Sequence, residues 1–205
     1  MTEIKKYGVI LADPPWRYKT WSGKGRNRCP DHRPFKGSSA RHYEVMTFLE
    51  IAALPVRDLA ADDCALLLWV TDPMLPRGLE LLEAWGFRYK TVGFYWVKLN
   101  KLAKIHRFAD GEPGLIREKE LFTGLGYWTR ANPEQCLLAT RGHPKQLAKD
   151  VPRLVVAPRR EHSRKPDEVR DRIRRLLPGP YLELFARERA EGWDAWGDEV
   201  GKFSK

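Results

Sequence analysis

Two stretches of the chain are apolar at nearly every position, Tyr7 to Ala12 (YGVILA) and Ala65 to Thr71 (ALLLWVT). A strand with one face in water alternates apolar and polar residues, so unbroken runs of this length predict strands covered on both faces. Thr47 stands three residues before Glu50 and ahead of Ile51 and Leu54, the spacing of a capping box at a helix start. From about Leu75 to Trp85 the apolar residues recur at helical spacing, with Leu79, Leu81 and Leu82 expected toward the core. Phe87 to Lys98 is aromatic and β-branched and reads as a third strand, with Gln135 to Thr140 and Arg153 to Ala157 as a fourth and fifth. Pro166 opens a helix, and Asp167 and Glu168 suit its positive end. Val169, Ile173, Leu176 and Leu177 form its inner stripe, and Pro178-Gly179 stops it. Tyr181 to Ala186 (YLELFA) reads as a final core strand. Strands separated by helices of this length predict an α/β fold, a mainly parallel sheet with helices on both faces, in a single domain over residues 1–205.

Composition supports one sizeable core, since 42% of the 205 residues are hydrophobic. No apolar run reaches the roughly 18 residues of a membrane span, and the N-terminus lacks the layout of a secretory signal, so a soluble, cytoplasmic protein is expected. Cys64 and Cys136 sit inside apolar stretches and read as small buried hydrophobes. Cys29 and His32 form a lone C-x-x-H without a second pair at zinc spacing, so no metal is expected.

Charge adds more. The formal net charge is +10, and it is concentrated in loops about 17–41 and 98–125. Between Arg17 and Arg41 eight Lys or Arg, among them Lys24, Arg26 and Arg28, face one acid, Asp31. A second cluster holds Lys98, Lys101, Lys104, His106 and Arg107, and a third holds Arg153, Arg159, Arg160, Arg164 and Lys165. Three clusters of one sign favour a polyanionic partner, most simply nucleic acid, with Lys24, Arg26, Arg28, Lys98 and Lys101 as candidate contacts.

In open α/β sheets ligands sit beyond the carboxyl ends of the strands, where the first strand empties into Asp13-Pro14-Pro15-Trp16. The glycine-rich fingerprints of dinucleotide and phosphate loops are missing, which removes the main support for hydride or phosphoryl transfer. Two prolines fix φ and delete two N–H donors, leaving carbonyl acceptors beside a carboxylate. That arrangement suits an amine with two N–H bonds, such as the exocyclic amine of a nucleobase. Asp13 would accept one hydrogen and the Pro14 carbonyl the other, favouring the nucleophilic form, while Trp16 would stack on a flipped base.

The "DPPW" element, "EHSRKPDEV" (Glu161 to Val169) and "YLELFAR" (Tyr181 to Arg187) together resemble the MT-A70 family of S-adenosylmethionine-dependent adenine-N6 methyltransferases. The resemblance continues through "HYEVM", "LWVTDPM", "WVKLNK", "GLGYWTRANPEQCLLATRG" and "GWDAWGDE". It implies a Rossmann-like methyltransferase fold of permuted order, the catalytic motif preceding the cofactor strand. It also implies S-adenosylmethionine as cofactor and Asp13, Pro14, Pro15 and Trp16 as the catalytic element. Tyr43 would neighbour the target base, Glu134 would contact the target nucleoside, and Lys165 would lie between base and cofactor. Glu183, Phe185 and Arg187 would line the cofactor pocket, with Asp198 and Glu199 near its adenosine part. The chain departs from the family where Asp198 replaces a frequent asparagine and where "ERAEG" replaces the His-Asn pair of eukaryotic members. The expected activity is transfer of a methyl group to adenine N6 in nucleic acid, DNA before RNA. A non-catalytic nucleic-acid-binding subunit and a cytosine-N4 enzyme are the alternatives, and a homodimer is one assembly the chain could take.

Overall fold

A computed structural model describes residues 5–16, 45–103, 116–124, 128–161, 164–198 and 200–201. Seven strands form one sheet: β1 (Tyr7–Ala12), β2 (Ala60–Val70), β3 (Arg88–Leu99), β4 (Glu134–Arg141), β5 (Leu154–Pro158), β6 (Tyr181–Leu184) and β7 (Trp193–Trp196). Their order is β5-β3-β4-β2-β1-β6-β7. β4 runs antiparallel to β2 and β3, and every other pairing is parallel. The carboxyl ends of six strands and the amino end of β4 therefore share one edge of the sheet.

The apolar runs explain themselves once the faces are separated. Ile10, Ala12, Leu66, Leu68 and Val70 point into one core, which α1 (Phe48–Ala52), α2 (Val56–Leu59) and α3 (Leu75–Ala84) close. Val9, Leu11, Ala65, Leu67 and Trp69 point into the other, closed by Val169 and Ile173 of α4 (Glu168–Leu176), by Leu177 and by Trp193. Both faces of β1 and of the second half of β2 are thus dry. Truncating a fully buried side chain such as Leu66 to alanine costs about 2–5 kcal/mol. The capping box at Thr47 is formed, with Thr47 Oγ1 accepting from Glu50 N–H and the Glu50 carboxylate accepting from Thr47 N–H. Cys64 and Cys136 are buried, and burial pushes the Cys64 thiol up to about 12. Cys29 and His32 lie outside the described residues.

Three expectations need correction. Leu79 is 38% exposed rather than core-facing. The inner face of α3 is centred on Gly78, where a Cβ would lie 2.5 Å from Val70 Cγ1. At 100° per residue Leu75, Leu81, Leu82 and Trp85 flank that close approach, and Leu79 is turned away from it. The second strand begins five residues earlier than expected, because its first half, with Asp62 and Asp63 exposed, carries no apolar signal. YLELFA is not the last strand: β6 ends at Leu184 and β7 adds a further edge beside it. The two tryptophans of WDAW stand three apart, so they give no period-2 pattern.

Candidate active site

Asp13 leaves β1 at the shared edge and is carried by an extended, pinned loop. The Pro14 carbonyl accepts the Trp16 N–H at 2.8 Å, and the Pro15 carbonyl accepts the Met46 N–H at 2.9 Å. Each carbonyl keeps one lone pair. Trp16 is 4% exposed and packed in the core, with its indole N–H donated to the Trp69 carbonyl at 3.3 Å. Its ring anchors the loop and presents no face to a base, which corrects the stacking role expected of it. The prolines and the tryptophan thus hold the carboxylate in place rather than contact a ligand through an aromatic face.

Around Asp13 the charges form a chain. Lys165 Nζ lies 2.7 Å from Asp13 Oδ2 and 3.4 Å from Glu134 Oε2, with its ammonium 5.4 Å above the Trp69 ring. Lys98 Nζ lies 2.5 Å from Glu134 Oε1 and 5.3 Å from the Trp96 ring. Burial would raise the Glu134 carboxyl, but the Lys165 and Lys98 ammonium groups outweigh it and hold it at about 2. Lys98 was expected to grip phosphate; its ammonium is instead committed to Glu134, and its side chain is 15% exposed. Lys101 sits exposed on the turn after β3. Glu134 reaches the site because β4 is antiparallel and starts where its neighbours end. Behind the chain lies Cys136, whose thiol burial pushes well above its usual range.

A second network stands beside the first, at the end of β6. Arg170 clamps Glu183 through Nε at 2.7 Å and Nη2 at 3.1 Å, and also reaches Glu188 at 3.0 Å. Glu188 accepts from Arg164 at 2.7 Å. Arg160 bonds Asp167 at 2.7 and 2.8 Å and the Lys165 carbonyl at 2.7 Å, which fixes the backbone that carries Lys165. The basic run 160–165, expected as part of a polyanion-binding face, is therefore largely consumed by carboxylates. Burial raises the Glu183 carboxyl, partly offset by Arg170 and reinforced by the fields of Asp13 and Glu188.

Phe185, one residue past β6, has a left-handed φ of 61° and packs edge-on against Trp196 at 5.7 Å. For a non-glycine residue that backbone costs about 1–2 kcal/mol. The turn is held because Ala186 N–H donates to the Trp196 carbonyl at 3.0 Å and Gly197 lies so close that a Cβ would meet Ala186 N and O at 2.8 Å. Arg187 is half-buried on the same turn, and its carbonyl accepts Gly201 N–H at 3.2 Å. Asp198 is exposed just past β7. Tyr43, Lys24, Arg26, Arg28 and Glu199 lie outside the described residues.

Arg170 and Glu188 were not singled out from the sequence. Arg170 borders the buried stripe of α4 between Val169 and Ile173, a position from which a long side chain reaches the neighbouring strand end. That placement on the stripe border was the available signal. No cluster of His, Cys, Asp and Glu suited to a metal occurs among the described residues, and no helix among them is long and apolar enough to cross a membrane.

Comparison with known proteins adds lineage to this geometry. A family model described as MT-A70 matches residues 7–199. The chain is 33% identical to the Type II methyltransferase M.MunI of a Mycoplasma species, with 96% of this chain and 78% of the relative covered. It is 32% identical to a putative N(6)-adenosine-methyltransferase MT-A70-like protein of Medicago truncatula, covering 98% of this chain and 27% of the relative. It is 31% identical to the N(6)-adenosine-methyltransferase catalytic subunit METTL3 of Homo sapiens, covering 96% of this chain and 29% of the relative. The match runs from the first strand past the last and takes in the Asp13 loop, the Lys165 segment and the β6 turn: the chain belongs to the MT-A70 family.

Proposed function

We propose that this chain transfers a methyl group from S-adenosylmethionine to the N6 amine of adenine in nucleic acid, DNA before RNA. The observation that carries the reading is Asp13: a carboxylate at a strand end, fixed by Lys165 and flanked by a proline carbonyl that retains a lone pair. DNA is placed first because a Type II methyltransferase is among the relatives, 33% identical over 96% of this chain.

The residues at the ends of β1 and β6 fit the cofactor. Burial and the neighbouring Asp13 charge disfavour ionised Glu183, so a cationic group there is favourable. Arg170 occupies part of the Glu183 carboxylate and leaves acceptor capacity for hydroxyls. Gly197 and the left-handed Phe185 keep the turn tight beside this carboxylate. When bound, S-adenosylmethionine supplies an electrophilic methyl group carried on a sulfonium.

The chain's own residues prepare the amine. Adenine N6 is a poor nucleophile because its lone pair is delocalised into the ring. Asp13 Oδ1 and the Pro14 carbonyl accept its two hydrogens, which favours the pyramidal form with a localised lone pair. As N6 gains its methyl bond it becomes cationic, and the proton it then loses leaves along the hydrogen bond to Asp13. Lys165 orients Asp13 through Oδ2 and leaves Oδ1 for this work. The test is incubation with labelled cofactor and DNA or RNA oligonucleotides, followed by nucleoside mass spectrometry. N6-methyladenine is expected with the native chain and none with D13A, whose cofactor affinity stays within a few fold. Near-native turnover by D13A, or N4-methylcytosine as the product, overturns the reading.

A further inference from the structure

Beyond the carboxyl ends of β3 and β5 lies a cavity of about 600 Å³ whose lining includes Asn100, Glu118, Lys119, Phe122, Thr123 and Arg159. We infer that it seats a backbone phosphate of the substrate strand, with the Arg159 guanidinium as the receiving cation; this deepens the nucleic-acid reading above and rests on it.

Arg159 differs from the cations that follow it. Arg160, Arg164, Lys165 and Arg170 are each paired with a carboxylate. Arg159 has no carboxylate partner among the described residues, and its Nε is buried without a hydrogen-bond partner. Its guanidinium carbon instead lies over the Phe122 ring, 3.4 Å from the centroid. A stacked guanidinium keeps its in-plane N–H donors, and that planar fork matches two oxygens of a phosphate. Lys119 adds a second cation to the lining, set against one acid, Glu118.

The pedestal is rigid and joined to the catalytic chain. Arg159 N–H donates to the Leu99 carbonyl at 3.0 Å, and Phe122 N–H donates to the Lys98 carbonyl at 2.8 Å. The Asn132 amide donates to the Lys98 and Phe122 carbonyls at 2.9 and 2.6 Å, and its oxygen accepts Lys98 N–H at 3.0 Å. Asn100 donates to the Lys119 and Leu121 carbonyls at 2.9 and 3.2 Å. Lys98, whose backbone anchors Phe122, sends its side chain to Glu134 and so into the chain that ends at Asp13. A strand whose target base reaches Asp13 would pass this seat at the same edge of the sheet.

The test uses the full chain, its R159Q and R159K variants, and short labelled adenine-containing oligonucleotides, single- and double-stranded. Affinity is read by fluorescence anisotropy at several salt concentrations, turnover by methyl transfer, and cofactor affinity by calorimetry. R159Q should weaken oligonucleotide binding roughly ten-fold and reduce the log–log salt slope by roughly 0.7–0.9. Turnover at saturating oligonucleotide and cofactor affinity should stay within about two-fold, because Arg159 is placed on the strand and not on the reacting atoms. R159K should keep the salt slope, since the charge remains, and still bind several-fold more weakly, since the planar fork is lost. Binding curves for either variant that superimpose on those of the native chain overturn the seat while leaving the methyltransferase reading intact. A native chain that binds and methylates no oligonucleotide removes both.

Discussion

Replacing Glu134 with glutamine removes the one acid that stands between two ammonium groups while preserving the shape of the side chain. The carboxyl is held at about 2 against an ordinary 4.5, a difference that corresponds to roughly 3 kcal/mol of native-state stabilisation at neutral pH. Because the folded value is the lower one, this contribution is complete above about pH 4.5 and is lost as pH falls toward 2. The native chain should therefore gain stability with rising pH across that window, and E134Q should lack this part of the slope. At pH 7 the loss amounts to about 6–12 °C in Tm for a chain of this size. Urea unfolding of both proteins between pH 3 and 7 measures it directly. Equal stability at pH 7, or a difference that does not shrink as the pH is lowered, refutes the reasoning that the Lys98–Glu134–Lys165 chain is a coupled unit. Methyl transfer should also fall in E134Q, since the Glu134 charge that helps set the position of Lys165 against Asp13 is lost.

Two further substitutions separate anchoring from chemistry. Trp16→Ala should lower stability by about 3–5 kcal/mol, as for other buried tryptophans, whereas Trp16→Phe should lose far less, including about 1 kcal/mol for the missing N–H bond to the Trp69 carbonyl; a Trp16→Ala protein of native Tm with selectively weakened oligonucleotide binding would restore the stacking role. Arg170→Met frees Glu183 and Glu188 from their shared clamp, and the cofactor dissociation constant should rise about ten-fold or more, as when one partner of a hydrogen-bonded charge pair is removed; calorimetry giving a native value would show that the clamp does not position Glu183 for the cofactor.

The sequence made the dry parts of the molecule legible, because burial on both faces writes itself as continuous apolar runs. β1 and the second half of β2 were read to within a residue for that reason, and the capping box gave α1 its start. What escaped was whatever depends on partners distant in sequence. Nothing local in WDAW says that it pairs with β6, and nothing in GLELL says that a glycine rather than a leucine meets Val70. The direction of β4 is equally silent in its residues, and it decides where Glu134 ends up. At the site, Asp13 was named from its strand end and Lys165, Glu134 and Glu183 from the motifs, and the fold brings Asp13, Lys165 and Glu134 into one chain of contacts with the Arg170-bound Glu183 at the end of β6. The destinations of the cations were not legible: a lysine that meets phosphate and one that meets a buried glutamate look alike until the fold puts Glu134 beside Lys98. Trp16 illustrates the same limit, because an aromatic after a strand end serves equally as a platform or as a peg.

The reversed direction of β4 carries a consequence for how such a protein can vary. β3 delivers the chain to the active edge and β4 departs from that same edge, so the connection between them begins and ends on the reaction side of the sheet. Changes to this connection that spare Asn100, Leu121, Phe122 and Asn132, which tie back to the end of β3, should leave every pairing of the sheet as it is. A fixed frame holds Asp13 and the Pro14 carbonyl, and neither belongs to this connection. Exchanging this connection is therefore expected to change which oligonucleotides are accepted before it changes the capacity for methyl transfer.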